Sequence, residues 1–274
     1  MKKQVKTALT AATCATASLV LFVIVLVAGF FSNGLFGNPI SKHLATKTAE
    51  KRITSCYADT DYKIDDVRYS FKEGCYHAYI VSPSSPDSDF TLAISMLGKL
   101  RLDDYENRVV GKWNTAMRIN AEYGTAVDKI IDADSFPYSF DIGYGALIFD
   151  RDVSLSDFPV GTYDMTSLVL DGAYDPYDTG KAAGEVTLYL KGEAVTEQRL
   201  AEILLDVKEI FDKGGVAFNS INLILENDAG ERVEVMSMLY TDIYEDGFLN
   251  RVKQSNSSAK EYYQKQDEEK IKGN

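Results

Sequence analysis

The chain has 274 residues, with 41 acidic side chains against 29 basic ones, a formal charge of −12 and only two histidines. Such a charge opposes association with nucleic acid or anionic lipid through bulk electrostatics. The roughly 240 residues beyond the first apolar segment allow one large core or two modest ones.

Between Lys6 and Lys42 there is no charged side chain, and Leu19 to Ala28 is almost pure hydrocarbon. A helix of about 20 mainly apolar residues crosses the hydrocarbon layer of a bilayer, and residues 8–31 satisfy that length. Lys2, Lys3 and Lys6 form a short basic tail, which stays cytoplasmic and directs the rest of the chain outward. Residues 1–31 are therefore expected to be a cytoplasmic tail and a transmembrane helix. The competing expectation is a cleaved signal peptide, but the apolar stretch is long and Phe30-Phe31 stand where small residues would be needed. Cys14 precedes most of the apolar run, so it is read as a membrane-buried thiol and not as a lipid attachment site. Everything from Glu50 onward carries the acidic residues, and 26 of the 29 basic residues follow the span, giving the outer body a charge near −15.

Residues 32–40 read as a turn-rich stalk. Ser41 is a candidate N-cap for a helix to about Tyr57, with Leu44, Ala45, Ala49, Ile53 and Tyr57 on one side. Alternation at Val67, Tyr69 and Phe71, the run Cys75–Val81, and alternation at Phe90, Leu92, Ile94 and Met96 predict an antiparallel meander. From Asp103 to about Ala133 the period becomes helical, and Tyr138 to Phe149 reads as another strand. These elements make a first α+β lobe over 41–149. Residues 150–183, rich in Pro and Gly, read as a connector. A second α+β lobe over 184–253 begins with a strand at Val186–Leu190. It continues with a Thr196-capped helix striped by Leu200, Ile203, Leu204, Val207, Ile210 and Phe211, which Gly214-Gly215 ends. Strands Phe218–Leu225 and Val233–Leu239 follow around an Asn227–Gly230 turn, then a helix from Thr241 to about Val252. Residues 254–274 are expected to be a frayed polar tail. The fold class is α+β, with an antiparallel sheet packed by helices in each lobe.

Candidate chemistry is sparse. His77, in a predicted strand, has Ser70 and Ser82 as conceivable nucleophile partners, and the plainer reading is a satisfied imidazole on a sheet. No His/Cys spacing resembles a zinc site. Asp171, Asp175 and Asp178 are weak candidates for calcium, since oxygen ligands from a loop suit it; otherwise no metal or cofactor is expected. Cys56 and Cys75 either pair, which would stabilise by roughly 3 kcal/mol in the loop-entropy description, or remain two separate buried thiols. The acidic pairs Asp59/Asp61, Asp65/Asp66, Asp103/Asp104, Asp132/Asp134 and Asp150/Asp152 sit at element ends, where aspartate caps and solvates. Asp178-Thr179-Gly180 lacks the apolar strand that an aspartic-protease tripeptide needs, and Asn256-Ser257-Ser258 fits a glycosylation triplet. Seventeen tyrosines suit a sheet core with hydroxyls at the surface, or an interface.

The stretch Asn38-Pro39-Ile40-Ser41-Lys42, then Val67-x-Tyr69-x-Phe71, Tyr79 and Asp89-Phe90, and later Gly184 to Leu225, resembles the YfjL-like group, membrane-anchored proteins of low-GC Gram-positive bacteria. The resemblance spans nearly the whole chain and implies a Gram-positive cell surface; it carries over no active residues. The expected function is that of a non-enzymatic, single-pass, extracytoplasmic binding protein for an envelope protein or small ligand. An envelope hydrolase or peptidase-regulating module using acidic residues is the alternative, and a structural spacer a third.

Overall fold

The computed structural model describes residues 18–22, 35–150 and 160–272. Most of the expected transmembrane segment lies outside the described residues. No helix among the described residues is long and apolar enough to cross a membrane. The chain divides into two compact units, residues 1–110 and 111–274.

The first unit is helix α1 (Pro39–Cys56) on a four-stranded sheet of β1 (Lys63–Ser70), β2 (Cys75–Ser82), β3 (Ser85–Ser95) and β4 (Leu100–Asp103), in sequential order. All three ladders are antiparallel; the alternation predicts the first two, while β4 is too short to show one and is an addition to the expected meander. Asn38, not Ser41, caps α1: its side chain accepts from Ser41 N at 2.7 Å. The helix buries Ala45 and Ala49 against the sheet, while Leu44 stays exposed. Val67, Tyr76, Ala78, Ile80, Phe90, Leu92 and Ile94 supply the buried sheet side. Tyr57, Tyr62, Phe90 and Tyr105 form an aromatic box with ring separations of 4.7–6.2 Å. Asp103 sits beside it and accepts from Arg52 Nε at 2.6 Å and from the Tyr57 hydroxyl at 2.9 Å. One of the expected solvating aspartates thus ties the last strand to the end of α1.

Cys56 and Cys75 are both free thiols. Cys56 is exposed at the end of α1, where Arg52 Nη1 approaches its sulfur at 2.9 Å, whereas Cys75 is buried at the start of β2. Of the two expected alternatives, the bridge is not formed, and of the two separate buried thiols only Cys75 is buried. The helix expected from Asp103 to about Ala133 begins later, at Trp113, after a π-turn at Glu106–Val110.

The second unit contains α2 (Trp113–Ile131), β5 (Phe140–Leu147), α3 (Pro176–Ala183), β6 (Gly184–Lys191), α4 (Glu197–Gly214), β7 (Ser220–Glu226), β8 (Arg232–Leu239) and α5 (Phe248–Lys272). Its sheet runs β5-β6-β7-β8. The outer ladders are antiparallel, but β6 and β7 are parallel, because α4 carries the chain back across the sheet before β7 starts. The division at 149/150 is corrected to 110/111. β5 pairs with β6 along its whole length and α2 packs on β5, so both elements assigned to the first lobe belong to the second. The described part of the expected connector is not a connector either. Met165 and Leu168 enter the second core, Tyr163 and Tyr174 pack against it, and α3 is capped by Asp175. The tail is likewise corrected, since α5 runs to Lys272 and buries Val252, Asn256 and Ala259.

Tyr123 of α2 is fully buried, and its hydroxyl donates to Ala217 O at 3.1 Å. Nearby, burial raises the Glu185 carboxyl above its usual range, with hydrogen bonding to Asn222 opposing the shift. A raised folded-state value favours the protonated form. Stability is therefore present at acid pH and is lost as pH rises from the unfolded value of about 4.3 through the folded one. Glu185→Gln removes the charged form, so it should raise the melting temperature at pH 8 and change it little at pH 4; an equal shift at both pH values would refute this assignment.

Candidate functional site

Two features of the first unit stand out, both at one end of its sheet. Ser70, Cys75 and Ser95 face one another across β1, β2 and β3. The β1–β2 turn and the β3–β4 turn therefore project from the same end. The chain enters there too. Asn38 N donates to the Tyr76 hydroxyl at 2.7 Å, that hydroxyl donates to Asn38 O at 2.8 Å, and Thr48 Oγ1 donates to Gly98 O at 2.7 Å. Around this entry point Phe36, Ile40, Phe71 and Leu97 are exposed by 76, 76, 62 and 88%. Such side chains are ordinarily unremarkable singly; here Phe71 and Leu97 lie on the two turns of this end, and Phe36 and Ile40 around the start of α1. Lys42, Lys47, Lys72 and Lys99 lie in the same segments, on a body that is otherwise strongly acidic.

The second feature is on the sheet face that α1 does not cover. Tyr76 points to α1, so Cys75, His77 and Tyr79 alternate to the other side. Glu73 joins them because Gly74, at φ +61, turns the backbone so that the carboxylate returns over the strand. His77 Nε2 and Glu73 Oε2 are 2.5 Å apart, and the Cys75 sulfur is 3.6 Å from each of them. Cys75 is 2% exposed even on this open face, with those two side chains against it. Burial chiefly, and then Glu73, push the Cys75 thiol up, and the Arg101 charge opposes them. Arg101 Nη1 also donates to Glu73 O at 3.3 Å.

This trio is poorly built as a thiol nucleophile. In an acyl-transfer triad the acid holds one ring nitrogen of histidine while the other nitrogen serves the nucleophile. Here a single nitrogen, Nε2, meets both neighbours, and the thiol is held in its protonated form. Three donors of different softness around one point could instead hold a metal ion. Among the described residues, Glu73, Cys75 and His77 form the group of three whose donor atoms all lie within 4.8 Å of one another.

The sequence candidates fare differently. Ser82 turns to Asp61 Oδ1 at 2.5 Å, and His77 turns to Glu73, so the serine partnership is not formed. Asp175 caps α3 by accepting from Tyr177 N at 2.9 Å, Asp178 lies in the first turn of that helix, and Asp171 occupies a left-handed turn at φ 57; they do not converge as ion ligands. Asn256 is buried in α5, which removes it as a glycan acceptor in the folded protein. Sequence reading missed the trio because Glu73 and the two strand residues carry no zinc-like spacing. The available signal was the i, i+2 pair Cys75/His77 beside a Glu-Gly turn.

A profile of the YfjL-like N-terminal domain matches residues 13–104, and one of the YfjL-like C-terminal domain matches residues 122–253. The gap between them brackets the division at 110/111. No curated protein matches. Among solved structures, a DUF5037 family protein from Ruminococcus gnavus aligns at 11% identity, over 76% of this chain and 98% of that one, with a TM-score of 0.20, too low to carry an argument. With both domains matched in order over most of its length, the chain belongs to the YfjL-like family.

Proposed function

We propose that the chain is a single-pass membrane protein of the Gram-positive cell surface, with its N-terminus in the cytoplasm and its body outside. It works by binding an envelope component and not by catalysis. The observation that carries this reading is the group of exposed apolar side chains at the end of the first unit where the chain enters. Four more, Leu19, Val20, Leu21 and Phe22, lie exposed on the described helical turn at residues 18–22. Apolar side chains flanked by lysines suit the lipid–water boundary, where the hydrocarbon part is buried and the ammonium groups reach headgroups. The end of the first unit then rests on the bilayer.

The test uses the full chain, reconstituted in lipid vesicles, with Cys56→Ser to remove the exposed thiol. An environment-sensitive dye attached at Leu97→Cys should shift to the blue and be quenched by lipids bearing spin labels near the headgroup. The same dye at Ser84→Cys, on the opposite turn, should report water. Equal quenching at both positions, or at neither, would overturn the orientation. On intact protoplasts, added protease should remove the body; protection until lysis would overturn the topology.

A further inference from the structure

We propose that Glu73, Cys75 and His77 together bind one divalent transition-metal ion of the zinc class, through carboxylate, thiolate and imidazole, with solvent in the remaining position. This site is independent of the membrane tether.

The geometry is close to that of a tetrahedral site before the ion arrives. With zinc bonds of about 2.3 Å to sulfur and about 2.0–2.2 Å to nitrogen and oxygen, tetrahedral ligands lie about 3.6 Å apart along sulfur–nitrogen and sulfur–oxygen edges, and about 3.4 Å along the nitrogen–oxygen edge. The two sulfur edges are already 3.6 Å each. The third, at 2.5 Å, is the length of a hydrogen bond, and it must open by about 0.9 Å. Glu73 can supply that movement because its side chain is 59% exposed, whereas Cys75 and His77 are fixed by strand pairing to Ser95 and Ala93.

The donor set narrows the metal. A thiolate with an imidazole suits zinc, cobalt, nickel or copper, and disfavours calcium and magnesium, which take oxygen ligands. Binding sends the Cys75 thiol proton to solvent. It also requires the proton between Nε2 and Oε2 to leave that edge, for Nδ1 or solvent, so uptake releases acid. The bond from Arg101 Nη1 to Glu73 O, at 3.3 Å, holds the turn in place. With three protein ligands on an open sheet face, one position is left for water or for a group on a partner.

Cobalt(II) is the probe. The full chain in detergent, reduced and freed of chelator, should develop a near-ultraviolet thiolate-to-cobalt band together with intense visible bands of tetrahedral cobalt, at one equivalent, and zinc should erase both. Cys75→Ser should abolish the charge-transfer band. Glu73→Gln should weaken cobalt binding by at least about tenfold, since even outer partners of a metal ligand cost that much. Because Glu73 is exposed, that variant should keep the wild-type far-ultraviolet dichroism, so its result stands even if the Cys75 variant fails to fold. The proposal is overturned if excess cobalt produces no charge-transfer band, if the band survives Cys75→Ser, or if Glu73→Gln binds cobalt as tightly as the parent.

Discussion

Gly145→Ala should lower the melting temperature of the second unit by roughly 2–12 °C, equivalent to about 1–3 kcal/mol of overpacking. A Cβ at Gly145 on β5 would stand 2.8 Å from the Val127 Cβ and 3.1 Å from the Tyr123 ring. Both neighbours lie on α2 and are fully buried, so neither can move aside. The helix approaches the strand this closely because Gly145 and Gly143 leave the strand face bare, and Gly124 on the helix faces Gly145 O in the same way. A bulkier Gly145→Val should do more damage than alanine. The mechanism is checked by a cycle with Val127→Ala, in which the double variant should be more stable than the sum of the single losses predicts. Calorimetric melts measure all of this; a Gly145→Ala melting point equal to the parent's would show that the contact relaxes freely.

The same glycines mark where sequence reading failed. The existence of helix α2 and of the strand near Phe140 is legible, though not the helix start at Trp113, because Tyr123 and Val127 recur at helical spacing and Phe140, Ile142 and Tyr144 alternate. What is not legible is the partner of that strand. β5 is joined to β6 through more than thirty residues, including 151–159, which lie outside the described set. Local periodicity says nothing about pairing across such a distance, so β5 was grouped with the nearer sheet. Parallel pairing of β6 with β7 escaped for a related reason. A strand, helix and strand in succession permit it, but only the register identifies it. The first three strands of the first unit are legible, since every neighbour in sequence is a neighbour in space; β4 is not, because its four residues are too few to show an alternation, and the start of β3 at Ser85 hides in a segment that reads as a loop. The candidate metal trio was half legible. Cys75 and His77 share a strand face by simple alternation, but only the positive φ of Gly74 brings Glu73 to them.

Asn256→Asp should destabilise the second unit by about 3–5 kcal/mol at neutral pH, as an uncompensated buried charge does, and less in acid. The sequence predicts a helix from Thr241 to about Val252 and then a frayed tail, because the chain is polar from Gln254 on, whereas α5 spans Phe248–Lys272. The buried sequence Phe248, Val252, Asn256, Ala259 keeps the helical spacing, with an amide in the third place. That amide joins three elements. Its Oδ1 accepts from Glu234 N of β8 at 3.2 Å, and its Nδ2 donates to Glu197 Oε1 at the start of α4 at 3.0 Å. A carboxylate keeps the first bond and turns the second into a contact between two anions. Protonation of the new aspartate restores a donor toward Glu197, so the loss should shrink as pH falls. Asn256→Ala removes both bonds without adding charge and should cost about 1–3 kcal/mol with little pH dependence. Hydrogen exchange gives the local readout. In Asn256→Asp at pH 7, amides of α5 beyond residue 252 should exchange faster, with those of β6 and β7 responding less. Unchanged protection along α5 would mean that its other buried contacts, Phe248, Val252 and Ala259 among them, dock the helix and that the amide clamp contributes nothing.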